Sequence, residues 1–330
     1  MERAIEPWRR LALIFPGQGS HNVGMGNRLS QVSRAARDVF KRADEVLETR
    51  LSKLCFEGPN DELERTINQQ PATFVTSIAW LEALRERWAV LDRKLKPYVL
   101  AGHSMGEFTA AVAAGSIDFE EGLLLVRERG RLMDEAGREN PGGMVSIVGL
   151  PEDCISEICE ESSTEGGYVG IATLNCEGQS VITGALRPLK RAMERAQLAG
   201  ARKVVRLPIT IASHSPLMQR ASESMKGLLD RFPLRDPEAP IVGNIDAAVL
   251  RSKPEVYAEL RDQLTSSVRW QRGVERMQDL GADMFIEVGP GNVLTKLVQR
   301  IDGEANVVSL SDARTGLLSE SFQSIEAAAR

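Results

Sequence analysis

The chain has 330 residues, 42% of them apolar and 26% charged, which suffices for a large core and excludes disorder as the main state. A formal net charge of −5 argues against a nucleic-acid binder working through a basic face. Four cysteines are too few for a secreted disulfide scaffold, so a reduced, cytoplasmic setting is expected.

Met1 to Arg10 carries no apolar signal-peptide segment. The longest stretch without Asp, Glu, Lys or Arg runs from Leu11 to Asn27 and holds Pro16 and four glycines, so no membrane span is expected. Leu11 to Phe15 is an apolar run that meets Pro16-Gly17-Gln18-Gly19, which predicts a buried strand ending in a glycine-rich loop. Helical patterns follow over about 28–50 and 60–92. Tyr98 to Ala101 is again strand-like and enters Gly102-His103-Ser104-Met105-Gly106. A small-residue helix follows, rich in Ala from Ala110 to Ala114; Gly115 reads as its stop and Asp118 as the next N-cap.

From about 142 the rhythm changes. Met144 to Val148 predicts a strand, 152–162 a helix, Tyr168 to Leu174 and Ser180 to Thr183 two strands, 186–199 a helix and Lys203 to Arg206 a strand. That order, βαββαβ, is a ferredoxin-like unit. Beyond it come a helix from about 216, a strand near Ile241 to Val242, helices near 255–265 and 271–280, and a strand from Met284 to Val288. Gly289-Pro290-Gly291 then turns into a last long helix, soon after which the chain ends, so no further module is expected. The expected fold class is α/β: a parallel-sheet core from 1–139 and 207–330, interrupted by a ferredoxin-like subdomain at 140–206. No internal repeat or low-complexity tract is visible.

Gly102-x-Ser104-x-Gly106 lies between a predicted strand and a predicted helix. The pentapeptide alone is weak; that context makes it a nucleophile elbow. Glycines two residues either side leave room for a sharp turn, and the helix N-terminus favours negative charge developing there. An ordinary turn serine is the bland alternative. A serine nucleophile needs a base, and the chain has three histidines, His21, His103 and His214. His103 adjoins the serine, and the turn aims the two side chains differently. His21 could line the cleft. His214 lies in a loop between strand and helix, suited to a mobile imidazole; a capping or surface role is as compatible with its position.

Arg127, Arg129 and Arg131 lie on one predicted helix. Position 129 shares a face with Leu125, Leu132 and Met133, so Arg129 points inward while Arg127 and Arg131 lean to a more polar face. A buried guanidinium needs an anion. An internal Glu or Asp and the carboxylate of a substrate both remain open.

The motifs Phe15-Pro16-Gly17-Gln18-Gly19-Ser20, Gly102-His103-Ser104-Met105-Gly106-Glu107, Arg127-Glu128-Arg129-Gly130, Ser213-His214-Ser215-Pro216-Leu217-Met218 and Glu287-Val288-Gly289-Pro290-Gly291 occur in that order. With these the chain resembles the malonyl-CoA:acyl carrier protein transacylase family over roughly residues 11–302. The resemblance implies an α/β-hydrolase-like core with a ferredoxin-like insert. It implies a Ser–His dyad in which malonyl-CoA acylates Ser104 and His214 serves as general base, then general acid. It places the oxyanion hole at the backbone N–H groups of Gln18 and Met105. A backbone carbonyl orients the histidine in this family, and Ser266-Ser267-Val268-Arg269-Trp270 matches the segment, which assigns that carbonyl to Arg269. The carboxylate-binding arginine falls on Arg129. An arginine there fits the chemistry, because leaving it unpaired penalises acetyl far more than hydrophobic fit could. Ser213 stands where related acyltransferases vary with extender preference, which leaves methyl-branched malonyl a separate question. Asn175 matches a cleft asparagine, although a turn-forming role is equally compatible and the surrounding segment departs from the family pattern.

The resemblance implies malonyl-CoA and acyl carrier protein as partners and no metal or redox cofactor; the net charge and the lack of a long apolar stretch argue against nucleic acid and membrane. A monomer is expected. Arg187, Lys190, Arg191, Arg195, Arg202 and Lys203 gather in the inserted unit. They are a solvated face or a docking patch for an acidic carrier protein. Metal binding is not expected, because no histidine pair sits at ligand spacing. Gly17-Gln18-Gly19-Ser20-His21-Asn22 fails the dinucleotide fingerprint, and no lysine follows a glycine, so there is no P-loop. Met133, Met218 and Met225 are expected in the core, and Trp8 against the body. A thioester hydrolase using the same dyad is the main rival, and a non-catalytic binding module the second.

Overall fold

The computed structural model describes residues 10–90, 92–163 and 167–311; Trp8 lies outside them. Among the described residues ten strands form two sheets: β1 (Leu11–Phe15), β2 (Val99–Gly102), β3 (Gly142–Val148), β4 (Val169–Cys176), β5 (Gln179–Ala185), β6 (Lys203–Arg206), β7 (Ile241–Val242), β8 (Val249–Leu250), β9 (Met284–Glu287) and β10 (Val307–Ser309).

The larger sheet runs β10-β9-β1-β2-β7-β8. Its first five strands are parallel, and β8 closes one edge antiparallel to β7. Central β1 is buried at every position, as a parallel strand covered on both faces must be, and this is why it reads as an uninterrupted apolar run. Its side chains alternate between two cores. Leu11, Leu13 and Phe15 face the helices Thr66–Val90, Gly106–Ala113 and Phe119–Glu139. Ala12 and Ile14 face Trp270, Val274, Met277, Leu294 and Val298 of the helices Trp270–Asp279 and Val293–Ile301.

The smaller sheet runs β4-β5-β3-β6, antiparallel throughout. Counted within this unit the order is 4-1-3-2, the ferredoxin-like arrangement. The helices Glu152–Ser162 and Leu186–Leu198 cover one face, packing Ile155, Ile158, Leu189 and Ala192 on Val145, Ile147 and Ile182. Strand β4 is also tied to the larger unit. Leu174 N–H donates to Val268 O and Val268 N–H to Ala172 O, both at 2.8 Å, and Ser267 Oγ donates to Ile171 O at 2.6 Å. These bonds set the end of β4, with Asn175, against the rim of the larger sheet.

Several predicted boundaries shift for local reasons. The expected helix over 28–50 is two helices, Asn27–Val32 and Arg34–Leu47. Ser33 between them is extended, and its hydroxyl accepts from Ala36 N–H as an N-cap. A further helix, Leu51–Glu57, follows. The pattern over 60–92 divides into Asn60–Glu64 and Thr66–Val90 because Arg65 is extended. The last helix spans only Val293–Ile301, and β10 follows it. Strands β8 and β10 were not legible, since two or three residues carry no periodicity. Met133, Met218 and Met225 are buried in the core. Among the described residues no helix is long and apolar enough to cross a membrane.

Candidate active site

Ser104 stands between β2 and the helix Gly106–Ala113 with φ +53°. That left-handed conformation costs a residue with a Cβ about 1–2 kcal/mol. The glycines two residues either side of it have no room for a side chain. A Cβ on Gly102 would lie 2.0 Å from the Gly106 carbonyl, and one on Gly106 would lie 2.2 Å from Phe15 O. Gly102 is therefore demanded by the elbow's own tight backbone, and Gly106 by packing against the end of β1. Gly106→Ala should cost about 3 kcal/mol or more, because a strand carbonyl cannot move aside. Thermal unfolding of the purified variant checks this; an unchanged melting temperature would contradict it.

Ser104 Oγ donates to His214 Nε2 at 2.7 Å. His214 Nδ1 faces two carbonyls, Gln263 O at 3.0 Å and Ser266 O at 3.1 Å. Two acceptors at Nδ1 place the proton there and leave Nε2 to accept from the serine. The imidazole is buried, and burial together with the Arg129 charge pushes its pKa down to about 3. It is therefore a neutral base across the physiological range.

The orienting carbonyl is not that of Arg269. Arg269 O accepts from Gly273 N–H and opens the helix Trp270–Asp279, and Arg269 N–H donates to Asn244 O at 2.8 Å. Its guanidinium lies 3.6 Å from Glu152. The 3-10 turn Gln263–Thr265 instead turns the carbonyls of Gln263 and Ser266 towards His214.

Arg129 is 1% exposed and reaches the nucleophile. Its Nη2 donates to Ser104 Oγ at 3.1 Å and to Gln263 Oε1 at 2.8 Å, and Nη1 donates to Gln70 Oε1 at 2.8 Å. The guanidinium carbon lies 5.8 Å from the centre of the Phe108 ring. Among the described residues no carboxylate forms an ion pair with it, and Nε has no partner. Burial lowers its pKa to about 10, against a smaller opposing pull from Glu107, so it stays charged at neutral pH. The internal Glu or Asp left open by the helical pattern is thus absent from its contacts, and two neutral glutamines stand in its place. Arg127 and Arg131 are half-buried on another face, where Arg131 bonds Glu128 and Glu135.

Met105 follows the serine at the helix N-terminus, and its N–H donates to no described residue; nor does that of Gln18. The glycine loop lies directly on the elbow, since a Cβ on Gly17 would sit 2.4 Å from His103 O and His103 N–H donates to Phe15 O at 3.0 Å. Gly289 backs this loop: a Cβ there would lie 2.6 Å from Pro16 Cγ. Uncommitted amides near a serine hydroxyl are the groups that receive an oxyanion, and Met105 directly follows Ser104 in the chain.

The remaining expected residues have distinct places. His103 turns away from Ser104, donating from Nε2 to Asn175 Oδ1 at 3.0 Å and lying 5.6 Å from the Trp270 ring. Asn175 thereby links the end of β4 to the elbow. Ser213 is buried beside the histidine, its Oγ 3.2 Å from Met144 Sδ. His21 pairs with Gln69.

Sequence reasoning missed the polar layer beneath the dyad: Gln70, Asn244, Glu259 and Gln263, with no role given to Glu107. All five are buried. Gln70 had a signal. The helix Thr66–Val90 buries Gln69, Gln70, Thr73, Thr76 and Ser77 in an otherwise apolar stretch, which a packing role alone does not require.

The acyl transferase domain family matches residues 12–312. A malonyl CoA-acyl carrier protein transacylase of Bacillus subtilis (strain 168) is 38% identical, covering 93% of this chain and 95% of its own. The solved transacylase from Coxiella burnetii has a TM-score of 0.87 at 34% identity, over 92% of this chain and 94% of that one. A malonyl-transacylase solved in complex with a type II PKS acyl-carrier protein has the same TM-score and identity, over 92% and 96%. Likeness of this extent spans both sheets, the loops that carry Ser104 and His214 and the helix that carries Arg129, and so this chain belongs to the malonyl CoA-acyl carrier protein transacylase family of acyl transferases.

Proposed function

We propose that this protein transfers malonyl from malonyl-CoA to the phosphopantetheine thiol of acyl carrier protein, through a malonyl ester on Ser104. The observation that carries this reading is Arg129, a buried cation that bonds the nucleophile's own oxygen and has no carboxylate partner among the described residues. Malonyl supplies the missing carboxylate one methylene beyond the carbonyl that Ser104 attacks, and a guanidinium can hold it through two bonds.

In the first half-reaction Ser104 Oγ attacks the thioester carbonyl and His214 Nε2 takes its proton. The Met105 and Gln18 amides receive the oxyanion. The C–S bond breaks, and the CoA sulfur leaves with the proton from His214. In the second half-reaction His214 takes a proton from the carrier's thiol, the sulfur attacks the ester, and Ser104 Oγ leaves reprotonated. The acyl group moves between oxygen and sulfur with no change of oxidation state, so the transfer calls for no redox cofactor. Every group named comes from one chain, so a monomer suffices.

A basic face for an acidic carrier would draw on the inserted unit. Arg191 donates to Ser162 O at 2.6 Å, and Arg195 pairs with Glu161, so both also hold the inserted unit's two helices together. Arg202, Lys203 and Arg206 lie exposed on or beside edge strand β6. These three are the better candidates to meet an acidic carrier.

The test is incubation with malonyl-CoA, with and without carrier protein. The expected result is one malonyl group on the Ser104 peptide by mass spectrometry, and malonyl-carrier once carrier is added. Free malonate forming at the same rate in both samples would favour a hydrolase instead. An unmodified Ser104 would leave neither reading standing.

A further inference from the structure

Beneath the elbow lies a closed polar layer that the transfer steps above do not use. Asn244 bridges the two ends of the strained turn: its Oδ1 accepts from Ser104 N–H and its Nδ2 donates to Gly102 O, both at 2.7 Å. Glu107 Oε1 accepts from Asn244 N–H and Nδ2, each at 3.0 Å. Glu259 Oε1 accepts from Asn244 N–H at 2.7 Å and Ile245 N–H at 2.9 Å. The two carboxyls are buried and bond one another. Adjacent carboxyls out of water hold one proton between them, and burial with the Glu259 charge raises the Glu107 pKa well above the usual range. Glu107 Oε2 in turn accepts from Gln263 Nε2 at 2.5 Å, which leaves Gln263 Oε1 facing Arg129.

We propose that Asn244 is the positioning residue of the nucleophile elbow, and that the Glu107–Glu259 carboxyl pair locks its amide in the one working orientation. A flipped amide would set Nδ2 against Ser104 N–H, and Oδ1 against both Gly102 O and Glu107 Oε1. The lock has two consequences. It holds Ser104 at its positive φ, with Oγ in line with His214. It also occupies the serine's own N–H, so the oxyanion meets only Met105 and Gln18. This inference rests on the transfer function proposed above.

Asn244→Asp keeps the acceptor for Ser104 N–H and removes the donor to Gly102 O. Because a small misplacement of reacting groups is costly, kcat for malonyl transfer should fall about 100-fold, with KM for malonyl-CoA within about threefold. Glu259→Ala should behave alike. Glu259→Gln still accepts from both backbone amides, donates to an ionised Glu107 and keeps one negative charge on the pair. It should restore to within about threefold of wild type what Glu259→Ala loses. Wild type measured in parallel separates the two readings: a wild type without malonyl transfer overturns the function, not the lock. With wild type active, N244D of unchanged kcat, or a loss entirely in KM, overturns the lock. If circular dichroism shows N244D unfolded, the two Glu259 variants decide, and equal activity in them overturns the lock.

Discussion

Arg129→Ala should lower kcat/KM for malonyl transfer about 1,000-fold, near 4 kcal/mol, while acetyl transfer holds or rises. Two effects of the arginine produce this split. With malonyl bound, the guanidinium meets a carboxylate in a site closed to water, where a charged pair is worth most. With acetyl bound, it has only the two glutamine oxygens, the Met133 sulfur and the serine hydroxyl, and its Nε stays unsatisfied. A second effect runs through His214. The Arg129 charge helps depress the histidine, so in the empty site the base is weak. A malonyl carboxylate cancels that field and strengthens the base only when the diacid is present. Removing Arg129 frees the base for any acyl group, hence the expected rise with acetyl. Steady-state kinetics with both CoA esters checks this; equal losses for both would refute the selectivity role.

His214→Ala should reduce transfer about 10⁵-fold and leave binding of malonyl-CoA nearly unchanged, with the oxyanion amides supplying what remains. The same imidazole sets the pH dependence. A general base must be neutral, and burial with the Arg129 charge drives its protonation far below the ordinary histidine range, to about 3. In wild type, kcat/KM should therefore stay level as pH falls from 8 through 6.5, with no inflection near the usual histidine value. In Arg129→Ala the acid limb should move upward, because one of the two depressing causes is gone. An inflection near 6.5 in wild type, or no upward movement in the variant, would show that Arg129 does not act on the base. Circular dichroism on both variants guards against loss of fold.

Much of this chemistry was legible in the sequence because it sits in local patterns. Ser104 was readable from two glycines at fixed offsets between an apolar strand and a helix, and both glycines prove sterically necessary. Arg129 was readable because helical spacing put it on the face of Leu125, Leu132 and Met133, all of which are buried. His214 stood out only through motif resemblance among three histidines. The carbonyl behind it was misassigned for a physical reason. Every residue carries a carbonyl, so sequence spacing cannot say which one points at an imidazole. That depended on a 3-10 turn at Gln263–Thr265 and on Arg269 O being taken by the following helix.

The sequence by itself determined the α/β class, the ferredoxin-like insert and the candidates for nucleophile, base and cation, since strand and helix periods and short motifs are written within a few residues of each other. Only the tertiary structure decided what surrounds them. Gln70, Asn244, Glu259 and Gln263 come from separate elements and meet Arg129, Ser104 and Glu107 at the carboxyl ends of β1 and β2. Their roles arise from burial. A glutamine or glutamate in water is unremarkable, whereas in a dry layer each donor must find one acceptor, and that matching exists only once the chain has closed on itself.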